Sequence, residues 1–234
     1  MSKTIVVVGF GPGISTAVAE KFGAEGYSVA LVARTQDRLA AGVAALQAKG
    51  VTAAAFVADA GDPAAMRTTL GKARAELGPI AALHWNAYAG VTGDLLTVDP
   101  AATLAGYQVG VVGLLAAVQA ALPDLKAAGN GAVLVTNGAF GETSPMADTF
   151  SVGMGATGVA LANAAKHKLV GMLSARLKDD GVYVGEVMVA GVVKGTAWDN
   201  DPPTAGIGGI EPAAVAKLFW DLAQARGEIR ARIS

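Results

Sequence analysis

The sequence contains no cysteine. That excludes disulfides, thiolate nucleophiles and cysteine-ligated metals. Its two histidines, His84 and His167, lie far apart in the chain and make a poor metal site, so no metal is expected. Charged residues make up only 16% of the chain and aromatic residues 6%; the net charge is −1, with no basic run. Nucleic acid is therefore not an expected partner. A long hydrophobic run is also missing. The longest apolar segment, Val109–Leu122, is interrupted by Gln119, stops at Pro123 and reads as a buried helix too short to cross a bilayer. Met1 leads within a few residues into an apolar strand, which leaves no room for a signal peptide. Together these absences point to a cytoplasmic chain with no membrane partner.

What the chain has in quantity is glycine, 31 of 234 residues, and apolar side chains, 53%. A chain of this length can bury a large core within one α/β domain, and no linker, repeat or charge block divides residues 1–234. So weakly charged a surface suggests cover by other subunits.

The stretch Val6-Val7-Val8-Gly9-Phe10-Gly11-Pro12-Gly13-Ile14-Ser15 carries the strongest signal. An apolar strand ends in glycines at alternate positions, and Ile14, Val18 and Phe22 then repeat at helical spacing. A strand that turns tightly into a helix gathers backbone N–H groups and the positive end of a helix dipole at one spot, which suits a pyrophosphate. An ordinary strand-to-helix turn is the alternative. The second apolar strand, Ser28–Ala33, completes a βαβ opening and favours the ligand.

Strands are expected at Thr4–Val8, Ser28–Ala33, Thr52–Ala58, Ile80–Trp85, Ala132–Thr136, Val182–Val189 and near Ile229–Ile233. Helices are expected at Ile14–Ala24, Gln36–Ala48, Pro63–Glu76, Ala101–Lys126, Val159–Lys178 and Pro212–Ala225. This alternation predicts a doubly wound parallel sheet, Rossmann-like, with helices on both faces. Gly138–Gly158 and Trp198–Ile210 read as loops over the ligand, the second as a mobile lid.

On these residues the chain resembles the short-chain dehydrogenase/reductase superfamily. The resemblance rests on Gly9 and Gly13, with Ser15 in place of a third glycine. It also rests on Val57-Ala58-Asp59-Ala60, Trp85-Asn86-Ala87-Tyr88, Ala190-Gly191 before Thr196, and Glu211–Trp220. It implies a nicotinamide cofactor held by Gly9, Phe10, Gly11, Gly13, Ile14, Arg34, Asp59, Ala60, Asn86, Ala87, Asn137 and Val193. It also implies a small carbonyl or alcohol substrate and a homodimer or homotetramer paired through the fourth and following helices.

The resemblance weakens toward the chemistry. The family's catalytic Asn falls on Gly110 and its Ser on Gly138. Its Tyr and Lys fall on Val159 and Asn163 in a gapless register, or on Ala162 and Lys166 in a register that needs a gap. The gapless one is preferred because a gap inside a helix disturbs core packing. Either way the Tyr is absent, and no catalytic set is assigned.

Arg34 after the second strand, with Ala33 where a carboxylate would hold a ribose 2′-OH, points to NADP(H) over NAD(H). A solvated arginine is the alternative. Lys166 either meets a ribose or belongs to a solvated face with His167 and Lys168, the latter preferred. Tyr88 could donate a proton, fill the substrate's space or pack as core. Asn137, Thr143, Ser144, Thr149 and Ser151 place polar groups near the missing Ser, and His84 reads as a satisfied core side chain. The leading function is an NADP(H)-dependent oxidoreductase with a non-standard active site. An NADP(H)-binding sensor or structural protein without turnover is the alternative, with a methyltransferase behind it.

Overall fold

The computed structural model describes residues 3–200 and 208–234. The strands are β1 (Lys3–Val8), β2 (Tyr27–Ala33), β3 (Ala53–Val57), β4 (Ile80–Trp85), β5 (Ala132–Gly138), β6 (Tyr183–Val189) and β7 (Arg230–Ile233). The helices are α1 (Ile14–Ala24), α2 (Gln36–Ala48), α3 (Pro63–Leu77), α4 (Leu104–Tyr107), α5 (Leu114–Ala127), α6 (Pro145–Gly153), α7 (Thr157–Leu177), α8 (Ala197–Asn200) and α9 (Pro212–Ala225).

All seven strands are parallel, in the order β3-β2-β1-β4-β5-β6-β7. Parallel strands covered on both faces read as unbroken apolar runs, and Ile5 to Val8 are all fully buried. Successive side chains point to opposite faces. Val6 and Val8 pack with Leu70 of α3, Leu114 of α5 and Val170 of α7. Ile5 and Val7 pack on the other side with Val18 of α1, Leu39 of α2 and Phe219 of α9. The strand order reverses between β1 and β4, and a ligand crevice opens beyond the carboxyl ends at such a switch point.

Two departures from the sequence reading, and one segment outside the described residues, matter for the site. Residues 138–158, read as loop, contain α6. Its start is built from Pro145 in the first turn and the Ser144 side chain, which accepts from the Ala147 N–H at 3.2 Å. The segment Val109–Leu122, read as a buried helix, belongs to a helical stretch, Pro100–Ala127, long and apolar enough by length and composition to cross a membrane. One side of it joins the core through Leu114, Val118 and Leu125, while Val112 and Leu115 remain 44% and 36% exposed. Between α4 and α5 it carries a π-helical turn, Gln108–Gly113, a distortion that occurs frequently at functional sites. Of the expected lid, residues 201–207 lie outside the described residues.

Candidate functional site

A cleft of about 1010 Å³ runs along the carboxyl ends of the strands. Ligand pockets usually measure about 300–1,000 Å³, so there is room for a dinucleotide and a second small molecule. Eleven of the twelve residues of the expected cofactor set line it; Gly13 is the exception, set back in the turn against Thr196.

The floor is the turn between β1 and α1. Gly9 has φ +82°, and a Cβ there would lie 2.5 Å from the Ala87 nitrogen. Asn86 locks this approach from the other side, its N–H bonding Val8 O at 2.9 Å and its Nδ2 bonding Gly9 O at 3.4 Å. Gly13 has φ +86° and abuts Thr196. Ser15, where the family has a third glycine, is fully buried. Its Oγ accepts from Gly11 N at 2.9 Å and donates to Gly11 O at 3.0 Å, stiffening the turn. Phe10 and Ile14 bury their side chains in the core beside the cleft. Helix α1 has no side-chain cap, so its first N–H groups remain for an anion.

Arg34 lies where β2 ends, exposed and lining the cleft, beside Ala33. The sequence reading missed Arg38, one helical turn further on. Its Nη1 would sit 3.8 Å from a Cβ on Gly11, so it reaches the glycine turn itself. Neither guanidinium forms an ion pair with a described residue. Asp59 lines the same end, its Oδ1 accepting from Gly61 N at 2.8 Å. Ala60 is held by the close approach of Gly113.

The other end is built from β5, α6, α7 and the segment after β6. Helix α7 turns Val159, Asn163 and Lys166 to the cleft, a spacing of four and three that shares one face. Ala162 instead packs against Gly106. The two positions of the gapless register thus face the cleft, and the tyrosine position of the gapped register does not. A Cβ on Gly138 would lie 2.8 Å from Asn163 Nδ2, so the Asn163 amide fills the space a serine would need. Gly110, at the asparagine position, is buried in the π-helical turn.

Asn137 is buried with its polar atoms committed. Its Nδ2 donates to Asn163 O at 3.0 Å and to Glu186 Oε1 at 2.7 Å, and its Oδ1 accepts from Gly138 N at 3.1 Å. Glu186, on β6, is fully buried. Its Oε2 meets His167 Nδ1 at 2.7 Å and Arg230 Nε at 3.2 Å. His167 and Arg230 line a second cavity of about 510 Å³ on the other side of α7.

Lys166 corrects the sequence reading most sharply. It is only 3% exposed, not one charge of a solvated face. Burial pushes its ammonium down to about 8, against the opposing pull of the Glu186 carboxylate. His84 lies in the core as expected but is only half satisfied. Its Nε2 pairs with Thr136 Oγ1 at 3.1 Å, but its Nδ1 has no partner, and burial lowers it to about 3. Tyr88 is 48% exposed and lines the cleft, so it is not core. The polar candidates beside Asn137 have other duties or positions. Ser144 caps α6, Thr149 donates to Pro145 O at 2.8 Å, Thr143 borders the second cavity, and the buried Ser151 Oγ has no partner.

The mouth of this end is apolar. Phe140 and Phe150 stack with ring centroids 5.4 Å apart, and Trp198 lies 6.0 Å from Phe140. Phe150 is 58% and Met146 74% exposed, and both line the cleft.

Residues 3–201 match the family described as short chain dehydrogenase. A curated relative, the oxidoreductase asL5 of Sarocladium schorii, is 29% identical over 196 residues, covering 81% of this chain and 72% of its own. Among solved structures, a short chain dehydrogenase from Burkholderia cenocepacia in complex with NADP is 24% identical. It aligns with a TM-score of 0.87 over 99% of this chain and 96% of its own. The L-sorbose reductase of Gluconobacter frateurii, complexed with NADPH and L-sorbose, is 19% identical, with a TM-score of 0.86 over 100% and 95%. These structures share the fold. The family match sets the methyltransferase alternative aside: the chain belongs to the short-chain dehydrogenase family and is an oxidoreductase by class.

Proposed function

We propose that residues 1–234 act as one cofactor-binding domain that reduces apolar carbonyl compounds, or oxidises the matching alcohols, with NADP(H). The observation that carries this reading is the combination of an uncapped α1 N-terminus with two guanidinium groups, Arg34 and Arg38, that form no ion pair with a described residue. The first suits a pyrophosphate and the second a 2′-phosphate. No carboxylate stands at Ala33 to repel that phosphate or to hold a bare ribose.

When bound, the cofactor supplies the two-electron chemistry. The chain's own residues do the rest. The glycine turn and Asn86–Ala87 set the depth of the cofactor, Asp59 and Ala60 border the adenine end, and Val193 walls the far side. Asn137 contributes backbone, since its side chain is held by Glu186. Phe140, Phe150, Met146 and Trp198 exclude water and accept a flat apolar substrate. Aromatic faces of this kind add about 0.5–1.5 kcal/mol beyond area burial. Fluorescence titration with NADPH, followed by a turnover panel of aromatic and aliphatic aldehydes and ketones, tests the reading.

A second reading has an observation of its own. Gly138 and Val159 stand where the family's proton-handling residues fall, which suits a protein that binds NADP(H) without turnover. Tight NADPH binding with no turnover on the panel would favour it.

The same proposal places the protein in the cytoplasm as a homodimer or homotetramer. Leu104, Val112 and Leu115 are exposed on the α4–α5 stretch, and Leu161 and Met172 on α7. Apolar exposure of this kind marks an interaction surface. Light scattering that reports a monomer at micromolar concentration would remove the assembly.

A further inference from the structure

We infer that Lys166 is the proton donor of the reaction, delivering its proton from Nζ directly to the substrate oxygen. This rests on the carbonyl-reduction reading above.

A buried ammonium without a hydrogen-bond acceptor is expensive, and proteins normally pair it or replace it by an apolar side chain. Lys166 is 3% exposed. It forms no hydrogen bond or ion pair with any described residue, yet it lines the cleft on the face shared with Val159 and Asn163. An acceptor is therefore missing at a place where a ligand oxygen would supply one.

The positions where the family keeps its acids hold none, and the one phenol on the cleft, Tyr88, is 48% exposed where Lys166 is buried. Gly110, Gly138 and Val159 have no acidic proton, and the Asn137 amide is committed to Glu186 and Asn163. The charged group that acts on Lys166 is Glu186 on β6, which in turn holds His167 of α7 and Arg230 of β7. Glu142 and Arg232 also line the cleft, paired with each other at 3.0 Å. Glu186 acts on Lys166 through its charge alone, because its oxygens already hold Asn137, His167 and Arg230. It favours the protonated form, while burial favours release. An acid poised near the working pH is the efficient kind.

The step balances. A bound reduced nicotinamide would supply the hydride for the new C–H bond, and with it both electrons. The C=O π pair moves to oxygen, an O–H bond forms, and the Lys166 N–H bond breaks. Lys166 is left as a neutral amine and is reprotonated by water before the next cycle.

The test measures kcat with NADPH between pH 6 and 10, using benzaldehyde and 2-naphthaldehyde as probes. NADPH dissociation constants and melting temperatures are taken on the same samples. The unmodified protein should lose kcat above about pH 8. Lys166→Met should keep NADPH affinity within about twofold and melt no lower than the unmodified protein, because the buried charge is gone. It should lose about 100-fold or more in kcat, the usual worth of a general acid, and show no alkaline limb. Lys166→Arg should bind NADPH but turn over as poorly, since its guanidinium does not release a proton in this range. Lys168→Met, one position past His167, should behave as the unmodified protein.

Retention of kcat in Lys166→Met overturns the proposal. So does an NADPH affinity that falls as far as kcat, which would make Lys166 a cofactor ligand. Loss of the alkaline limb in Tyr88→Phe instead would move the role to Tyr88. Tight NADPH binding without turnover of either probe counts against Lys166 and for the non-catalytic reading. No NADPH binding by the unmodified protein overturns the functional reading itself.

Discussion

The two ends of the cleft use their polar groups in opposite ways. At the proposed adenosine end the guanidiniums of Arg34 and Arg38 are exposed and pair with no described residue, and the first N–H groups of α1 have no side-chain cap. At the other end they are buried and mostly satisfied by one another, through Asn137, Asn163, Glu186, His167 and Arg230. Lys166 is the exception there, buried and bonded to no described residue. An exposed polar group costs little while it waits for a ligand, so a binding handle can be local and simple. A reactive polar group out of water must be built into a network, and that network draws on β5, β6, α7 and β7 together.

The largest expected effect attacks the network. Glu186→Ala removes the one buried carboxylate that faces His167, Arg230 and Lys166. Breaking a buried ionic group by removing one partner costs about 3–5 kcal/mol, measurable by urea unfolding. A loss under about 1 kcal/mol would mean that the charges are solvated and the contrast between the ends is false.

The next effect isolates the adenosine end. Arg34→Ala should weaken NADPH about 10- to 100-fold, from a charged hydrogen bond worth about 1.5–3 kcal/mol. NADH affinity and thermal stability should hardly change. Arg38→Ala should act in the same direction, and higher salt should narrow the gap between the cofactors.

Acid tests the support under the chemical end. His84 sits beneath Thr136 and is lowered to about 3 in the folded state, against 6.5 in a free chain. The unfolded chain then binds the extra proton between those values, so stability is complete above pH 6.5 and falls as pH drops toward 3. The melting temperature should fall by about 4 °C or more over that range. His84→Phe should flatten the acid limb, since it removes the titration.

The smallest effect concerns the apolar mouth. Phe150→Ala should raise KM for aromatic carbonyl probes about 2- to 12-fold, equivalent to about 0.5–1.5 kcal/mol. NADPH affinity should stay within twofold, because Phe150 belongs to the substrate's end alone.

How much of this was legible in the sequence follows the same division. The glycine turn, β2 and Arg34 lie within the first βαβ unit, where spacing alone places them. The sheet and its doubly wound order were legible because buried parallel strands are continuous apolar runs. Arg38 had a usable signal, an arginine four residues after Arg34, that the reading passed over. Helix α6 was not read because Gly, Ser, Thr and Pro dominate its surroundings; only Ser144-Pro145 marked its start. The burial of Lys166 had no local signature. Lys166-His167-Lys168 looks like a solvated run, and only β6, carrying Glu186 from twenty positions downstream, turns it into the wall of a cleft.

The central proposal is that the glycine turn with Arg34 and Arg38 forms an NADP(H) handle whatever the other end does. Dissociation constants of the unmodified protein for NADPH and NADH, measured by fluorescence in the same low-salt buffer, test it most directly. NADPH is expected to bind about 10- to 100-fold more tightly than NADH. Equal constants, or no binding of either cofactor, would contradict the account.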